Sequence, residues 1–177
     1  MVDLERYRSG STEPWTASII AALAVSVRFE HTLRILETGT YQGFTTETIV
    51  TAFDSSDVEN WQLVSLDNGD ASGVPLVWLK QLRNVRLLEA DALAWLREYE
   101  GEPFNFIFLD DSHNAGHVEE EVDAIINRGL LAPKGLLCMH DVVGPFGLED
   151  IVRKNGGVVL DLKPLHTAGG LGIISNV

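Results

Sequence analysis

The chain has 177 residues, 45% of them hydrophobic and 22% charged, which is enough for one domain with a buried core and excludes an intrinsically disordered chain. Its formal net charge of −13 argues against nucleic acids and anionic membranes as partners. The single cysteine, Cys138, the polar N-terminus and the lack of an apolar stretch long enough to span a bilayer predict a cytoplasmic protein.

Short apolar runs alternate with longer segments of helical periodicity along most of the chain. This alternation predicts an α/β fold with a doubly wound, mostly parallel, Rossmann-like sheet and helices on both faces. Two further strand-like runs at the C-terminus predict an antiparallel edge pair, for a total of about seven strands. The predicted strands are 33–37, 61–66, 85–88, 104–109, 136–140, 157–162 and 171–175, and the predicted helices are 17–27, a segment ending near 53, 74–82, 92–99 and 115–128.

The fifth of these helices, 115–128, has a clear amphipathic pattern. Its apolar residues are predicted to face inward and its three consecutive glutamates to point mostly outward. The inward set is Val118, Val122, Ile125 and Ile126, and the outward set is Glu119, Glu120 and Glu121.

A turn with two glycines follows the first predicted strand. Gly39 and Gly43 lie four residues apart between this strand and the next helix, where glycine lets the backbone approach a ligand closely. Asp67 ends the second strand, where a carboxylate can accept hydrogen bonds from two ribose hydroxyls. The structural alternative is a tight turn that only needs glycine, with Asp67 as a turn or helix cap.

The segment Glu-Thr-Gly-Thr-Tyr-Gln-Gly-Phe-Thr-Thr, from Glu37 to Thr46, resembles the first motif of class I S-adenosylmethionine-dependent methyltransferases. The resemblance is strongest to small-molecule O-methyltransferases of the cephalosporin hydroxylase and macrocin O-methyltransferase branch. Phe-Ile-Phe-Leu-Asp-Asp-Ser-His and Leu-Leu-Ala-Pro-Lys-Gly-Leu-Leu-Cys-Met-His-Asp resemble the motifs of the family's fourth and fifth strands, so that the match covers roughly 34–141.

This resemblance implies a set of residues that bind S-adenosylmethionine. Asp67 would bind the ribose, and Asp91 would contact the adenine or cap the helix beside it. The full implied set is Glu37, Gly39, Thr40, Tyr41, Gly43, Asp67, Asp91 and Asp110. The chain is then expected to be one methyltransferase-like domain over 1–177, with a helical cap at 1–30, a cofactor-binding core at 31–141 and the last strand pair with the acceptor-side loops at 142–177.

Acidic and histidine side chains follow the fourth and fifth predicted strands. Asp110, Asp111 and His113 come after the fourth strand, while His140 and Asp141 end the fifth. These groups are expected to meet at one sheet edge, where close carboxylates and imidazoles shift each other's pKa values unless they share a proton or a cation.

The resemblance implies a divalent cation, Mg²⁺ or another, at Asp110 and Asp141, and we add His140, which stands where some relatives carry an acid. The structural alternatives are Asp111 as a helix cap and His140 as a hydrogen-bonded rim residue. His117, one turn into the next helix, is interpreted as structural.

The expected reaction is methyl transfer to a hydroxyl of a small molecule such as a sugar, a phenol or an antibiotic intermediate. His113 is the first candidate base and His140 the second, since a free imidazole titrates near about pH 6.5. A cation on Asp110 would instead lower the pKa of the hydroxyl.

Two other functions are open alternatives. One is an adenosyl-nucleoside-binding protein without transferase activity. The other is an NAD-dependent oxidoreductase, which is disfavoured because Tyr41 stands where its fingerprint needs a second glycine. Walls for an acceptor are expected from 6–15, 142–148 and 166–170, including Trp15 and Phe146, and a second copy of the chain in a homo-oligomer could complete the site.

Overall fold

A seven-stranded sheet and five helices make up the part of the chain that the computed structural model describes, which is residues 12–27, 32–69, 79–162 and 169–176. The strands are β1 (Leu33–Thr38), β2 (Trp61–Asp67), β3 (Val85–Glu89), β4 (Phe104–Leu109), β5 (Leu131–His140), β6 (Val158–Leu160) and β7 (Leu171–Ser175). The helices are α1 (Pro14–Ser26), α2 (Phe44–Asp54), α3 (Ala92–Glu98), α4 (Ala115–Asn127) and α5 (Leu148–Lys154).

The strand order β3-β2-β1-β4-β5-β7-β6 confirms the predicted doubly wound sheet. The first five strands are parallel, and β7 pairs antiparallel with both β5 and β6. Thr38, the last residue of β1, lies beside Leu66 of β2 and Leu109 of β4, so these strands end at the same level. The chain winds outward in both directions from β1 and β4, which opens a crevice at their carboxyl ends.

Alternate strand residues build two hydrophobic layers, one on each face of the sheet. Phe106 and Phe108 of β4 pack in the layer that includes α1 and α2, whereas Ile107 and Leu109 pack in the layer of α3, α4 and α5. All six β4 residues are buried, as a central parallel strand requires. Within the described ranges, no helix combines the length and apolar character that a membrane span needs.

Three elements differ from the sequence-based prediction. The helix α5 was not predicted, although Leu148, Ile151 and Val152 have helical spacing. The strand β5 begins at Leu131 rather than at 136, because an irregular register opposite Phe104 and Phe106 accommodates the extra residues. Of the predicted helix 74–82, residues 74–78 lie outside the described part, and 79–81 form a single 3₁₀ turn.

The helix α4 corrects the prediction for one glutamate. Glu121 is fully buried rather than outward, because it shares the inward face with Val118, Val122 and Ile125. Ile126, predicted inward, is instead 42% exposed.

The turn between β1 and α2 lies directly against the backbone that follows β4. Gly39 has φ +80° and its amide donates to the Leu66 carbonyl over 2.9 Å. A Cβ on Gly39 would lie 2.6 Å from the carbonyl carbon of Asp110, closer than real side chains approach. Glycine is therefore needed here for contact between two backbone segments, in addition to its left-handed conformation.

Gly39→Ala tests this close contact, with Gly129→Ala as the matched control. Gly129 has φ +65° but nothing within 4 Å of its Cβ position, so its substitution carries only the conformational cost of about 1–2 kcal/mol. We expect Gly39→Ala to lower the free energy of unfolding in urea by at least about 1 kcal/mol more than Gly129→Ala does, because the added methyl group overlaps the backbone of Asp110. Equal losses in the two variants would contradict the close contact.

Candidate functional site

A cavity of about 530 Å³ lies over the carboxyl ends of the parallel strands, within the usual size range of small-molecule and cofactor sites. Nine of the sequence-predicted site residues line it, while Glu37 and Gly43 do not. The predicted residues at the wall are Gly39, Thr40, Tyr41, Asp67, Asp91, Asp110, His113, His140 and Asp141. Other wall residues, which the sequence analysis did not assign to the cofactor or to catalysis, include Thr12, Gln42, Phe44, Thr45, Asn68, Asp111, Ser112 and His117.

Glu37 lies fully buried beneath the glycine turn rather than at the cavity wall. Its Oε2 accepts hydrogen bonds from Thr46 Oγ1 at 2.5 Å and from Ser65 Oγ at 2.6 Å. Thr40, which lines the cavity, shares a further 2.5 Å hydrogen bond with Ser65. Burial raises the pKa of Glu37 to about 7, even though these hydroxyl donors oppose the rise. Glu37 thus reaches the cavity only through Ser65 and Thr40.

Asp67 and Asp91 stand at the end of the cavity formed by β2 and β3. The Asp67 carboxylate accepts hydrogen bonds from the amides of Tyr41 at 2.6 Å and Gly69 at 3.1 Å. Asp91 caps α3 by accepting a hydrogen bond from the Ala94 amide at 2.7 Å. This is one of the two roles predicted for Asp91, the other being a contact with adenine. Both side chains are tied to backbone and still contribute to the cavity wall.

His140 is held between two carboxylates. Its Nδ1 lies 2.8 Å from Asp110 Oδ1, and its Nε2 lies 3.2 Å from Glu13 Oε2. Burial lowers the pKa of His140, but the hydrogen bonds to Asp110 and Glu13 and the charges of Asp110 and Asp141 outweigh it and raise the pKa to about 10. Thr12 Oγ1 donates to the second oxygen of Asp110 at 2.8 Å. His140 therefore carries a positive charge at neutral pH and ties the start of α1 to the sheet.

His140 must lose a proton before it can act as a metal ligand or as a base, and both roles stay predictions. Both ring nitrogens face carboxylates, and a charged imidazole has no lone pair to offer to a cation or to a substrate proton. The structure does bring Asp110, His140 and Asp141 together, with Asp141 Oδ1 3.5 Å from His140 Nε2. The imidazolium supplies the charge that a cation would supply to this cluster, and a metal at these three residues stays a prediction.

His113 and Asp141 form a second pair at the mouth of the cavity. His113 Nε2 lies 2.7 Å from Asp141 Oδ2, and the imidazole side chain is 44% exposed. The Phe146 ring lies 5.1 Å from the His113 ring, centroid to centroid. Asp141 has φ +52°, an unusual conformation for a residue other than glycine, and Gly169 packs against its backbone. Asp141 can thus orient the imidazole while the other ring nitrogen is directed to a ligand.

Asp111, His117 and Glu121 form a third group beside the cavity. The cap of α4 is Asn114, which accepts from the His117 amide, so Asp111 does not have the capping role considered for it. Asp111 Oδ1 instead accepts from Thr38 Oγ1 at 3.0 Å. Burial, followed by the negative charges of Asp111 and Asp91, raises the pKa of Glu121 to about 9.

The N-terminal segment covers one side of the site. Thr12 and Glu13 reach Asp110 and His140 across the sheet edge, and Thr45 Oγ1 donates to Thr12 Oγ1 at 3.0 Å. Glu13 directly precedes α1, a position that in the sequence indicates only a helix start. Of the predicted acceptor walls, residues 6–11 and 166–168 lie outside the described part, and Trp15 is exposed and does not line the cavity.

The family model described as "Methyltransferase domain" matches residues 36–142, more than half of the chain. This segment runs from the second half of β1 to the residues just after β5 and holds most of the cavity wall. No curated protein matches the chain.

Several solved structures share the fold. The S-adenosylhomocysteine-bound methyltransferase PaMTH1 of Podospora anserina superposes with a TM-score of 0.72 at 20% identity, over 100% of this chain and 83% of that one. The O-methyltransferase TomG of Streptomyces achromogenes, solved with S-adenosylmethionine, has a TM-score of 0.66 at 17% identity, over 92% and 80%. The N-methyltransferase NodS of Bradyrhizobium japonicum WM9 has a TM-score of 0.62 at 16% identity, over 90% and 85%.

Glu37→Gln tests the buried carboxyl through the pH dependence of stability. The folded pKa of about 7 exceeds the ordinary 4.5, so the folded state binds this proton more tightly than the unfolded state. The stabilisation is complete below about pH 4.5 and is lost as pH rises through about 7. Urea unfolding should show the parent losing stability relative to Glu37→Gln by on the order of 3 kcal/mol across this window.

The Glu37→Gln variant also serves as the control. The other titrating groups are common to both proteins, so their contributions cancel when the two free energies of unfolding are subtracted at each pH. A difference that stays constant from about pH 4 to about pH 8 would contradict a protonated Glu37 at mildly acidic pH.

Proposed function

The chain belongs to the methyltransferase-domain family, and from this premise we propose that it transfers a methyl group from S-adenosylmethionine to a hydroxyl of a small molecule. The observation that carries the oxygen acceptor is the His113–Asp141 pair at the mouth of the cavity. A hydroxyl needs a base to take its proton during methyl transfer, and an exposed imidazole oriented by a carboxylate is suited to that task.

The cavity has the chemistry that an adenosyl cofactor requires. The Asp67 carboxylate is available to ribose hydroxyls at the end of β2. The adjoining wall, which would contact the adenine ring, is formed by Ala90, Asp91 and Ala92. When bound, S-adenosylmethionine supplies an activated methyl group on a positively charged sulfur. The acidic lining around Asp110 and Asp111 complements such a charge. PaMTH1 and TomG, which share the fold, were solved with S-adenosylhomocysteine and S-adenosylmethionine, and this supports the same cofactor here.

His113 is the proposed base, and Asp141 is the proposed positioning residue. Asp141 accepts from Nε2–H of His113, which leaves Nδ1 as the lone-pair nitrogen that takes the proton of the acceptor hydroxyl. The charged His140, held by Asp110 and Glu13, is assigned to fixing the floor of the site rather than to proton transfer.

The acceptor we propose is a hydroxylated small molecule with an apolar part. Phe146 is 43% exposed and stands against the His113 ring, so an apolar surface lies next to the proposed base. The excess of acidic residues disfavours phosphorylated acceptors and nucleic acids. The shared fold with the O-methyltransferase TomG supports an oxygen acceptor.

His113→Asn tests the proposed base. We expect turnover of S-adenosylmethionine with a panel of phenols and sugars to fall by ~10²–10⁴-fold, since general-base catalysis contributes an effect of this size. Binding of S-adenosylhomocysteine, followed by calorimetry, should be unchanged because the side chain lies at the acceptor end. Asp141→Asn should lower turnover by a smaller factor through misorientation of the imidazole.

Glu149→Gln, a change in the neighbouring α5 at a side chain that does not line the cavity, is the control and should leave turnover at the parental value. Full turnover in His113→Asn would contradict the assignment of the base. Tight binding of S-adenosylhomocysteine without methylation of any hydroxylated compound in the panel would instead favour the adenosyl-nucleoside-binding alternative.

A further inference from the structure

Three side chains with metal-binding atoms meet where β4 leads into α4, outside the predicted set of Asp110, His140 and Asp141. One ligand atom each from Asp111, His117 and Glu121 lies within 4.8 Å of the other two. His117 and Glu121 are four residues apart on α4, so both point to the same side of the helix. Asp111 approaches that side from the end of β4.

Glu121 is a buried acid that accepts no hydrogen bond from the described residues. Its side chain has no exposed surface, and neither carboxylate oxygen has a hydrogen-bond donor among those residues. A buried carboxylate without a donor is costly, so it must either keep a proton or face a cation. The Asp111 carboxylate beside it cannot donate to it unless one of the two acids is protonated.

The distances within the group are those of ligands around a common ion rather than of hydrogen-bonded partners. His117 Nε2 lies 3.6 Å from Asp111 Oδ2 and 3.7 Å from Glu121 Oε1. Hydrogen bonds of this kind are shorter, about 2.7–3.2 Å. Two ligands bound at ~2.1 Å to a tetrahedral Zn²⁺ lie ~3.4 Å apart, and both distances from His117 are within a few tenths of an ångström of this value, while the ligand atoms of Asp111 and Glu121 lie within 4.8 Å of each other.

Asp111 is already oriented for such a role. The Thr38 hydroxyl donates to Asp111 Oδ1 and leaves Oδ2 toward His117. Hydrogen bonds of this kind orient carboxylate ligands in metal sites. Asp111 and His117 also line the 530 Å³ cavity, so a fourth coordination position on this side would open into it.

We propose that Asp111, His117 and Glu121 bind a divalent transition-metal ion, with Zn²⁺ as the best match, whose open coordination position faces the cofactor cavity. Metal binding would release the proton that Glu121 otherwise keeps, and the two carboxylates and one neutral imidazole then carry a charge of −2, which a divalent ion neutralises. The imidazole nitrogen favours Zn²⁺ or its first-row neighbours over Mg²⁺, which prefers oxygen ligands and bound water. Metal binding at this group does not require the methyltransferase activity proposed above.

The test is Zn²⁺ titration calorimetry on the full chain, free of any affinity tag and dialysed against a chelator, with Co²⁺ absorption as a second readout of coordination geometry. The variants are Glu121→Gln and His117→Gln. The matched control is Glu120→Gln, an exposed neighbour that pairs with Arg97 on the other side of α4. Asp110→Asn distinguishes this group from the predicted Asp110, His140 and Asp141 set.

We expect the parent to bind one Zn²⁺ per chain. Loss of a residue that only supports a metal ligand lowers affinity by ~10–100-fold, and we expect a larger loss in Glu121→Gln and His117→Gln. Glu120→Gln and Asp110→Asn should bind Zn²⁺ as tightly as the parent. Zn²⁺ should also raise the melting temperature of the parent but not of Glu121→Gln, which keeps the test valid if His117→Gln folds poorly.

Absence of Zn²⁺ and Co²⁺ binding in the parent would overturn the proposal and assign Glu121 a retained proton. Binding that survives in Glu121→Gln, or that is lost in Asp110→Asn, would also overturn it. S-adenosylhomocysteine binding measured on the same samples separates a failure of this site from a failure of the proposed function.

Discussion

The close approach of two backbone segments at the centre of the sheet determines the site. The turn after β1 lies against the peptide of Asp110 at the end of β4, and only a residue without a Cβ permits this contact. Because β1 and β4 are neighbours from which the chain winds in opposite directions, a crevice opens at their carboxyl ends. The glycine turn and the acids after β4 therefore share one cavity.

Many acidic side chains lie close together at this edge of the sheet and repel one another. Each of them has its own stabilising partner, either a hydrogen-bond donor or a histidine. Glu37 receives two hydroxyl donors and retains a raised pKa, whereas Asp67 accepts backbone amides. Asp110 pairs with a charged His140, and Asp141 pairs with the exposed His113. The two histidines therefore differ in their surroundings, since His140 is buried between the carboxylates of Asp110 and Glu13, whereas His113 is partly exposed.

Much of the fold follows from local sequence patterns. The almost wholly apolar 104–109 predicts a central parallel strand, and the alternation of short apolar runs with helical segments predicts the doubly wound sheet. The position of the cavity also follows from the sequence. It lies at the edge where the turn from Glu37 to Thr46 and the acids after the strands were expected to meet, because parallel strands all end at that edge.

The remainder depends on contacts that no local pattern contains. Glu13 meets His140 across 127 positions of sequence, and a glutamate before a helix carries no signal for that partner. The charge of Glu121 predicts an outward position, whereas its spacing of three residues from Val118 and four from Ile125 matches the inward face of α4. The register irregularity in β5 arises from pairing with β4, so the start of that strand was also missed.

The cavity as an adenosyl-cofactor site is the central claim, and titration calorimetry with S-adenosylhomocysteine tests it most directly. The parent protein should bind one molecule per chain, and Asp67→Ala should bind at least about tenfold more weakly because two hydrogen bonds from ribose hydroxyls to a charged acceptor are lost. Absence of binding in the parent, or equal affinity in Asp67→Ala, would contradict the account.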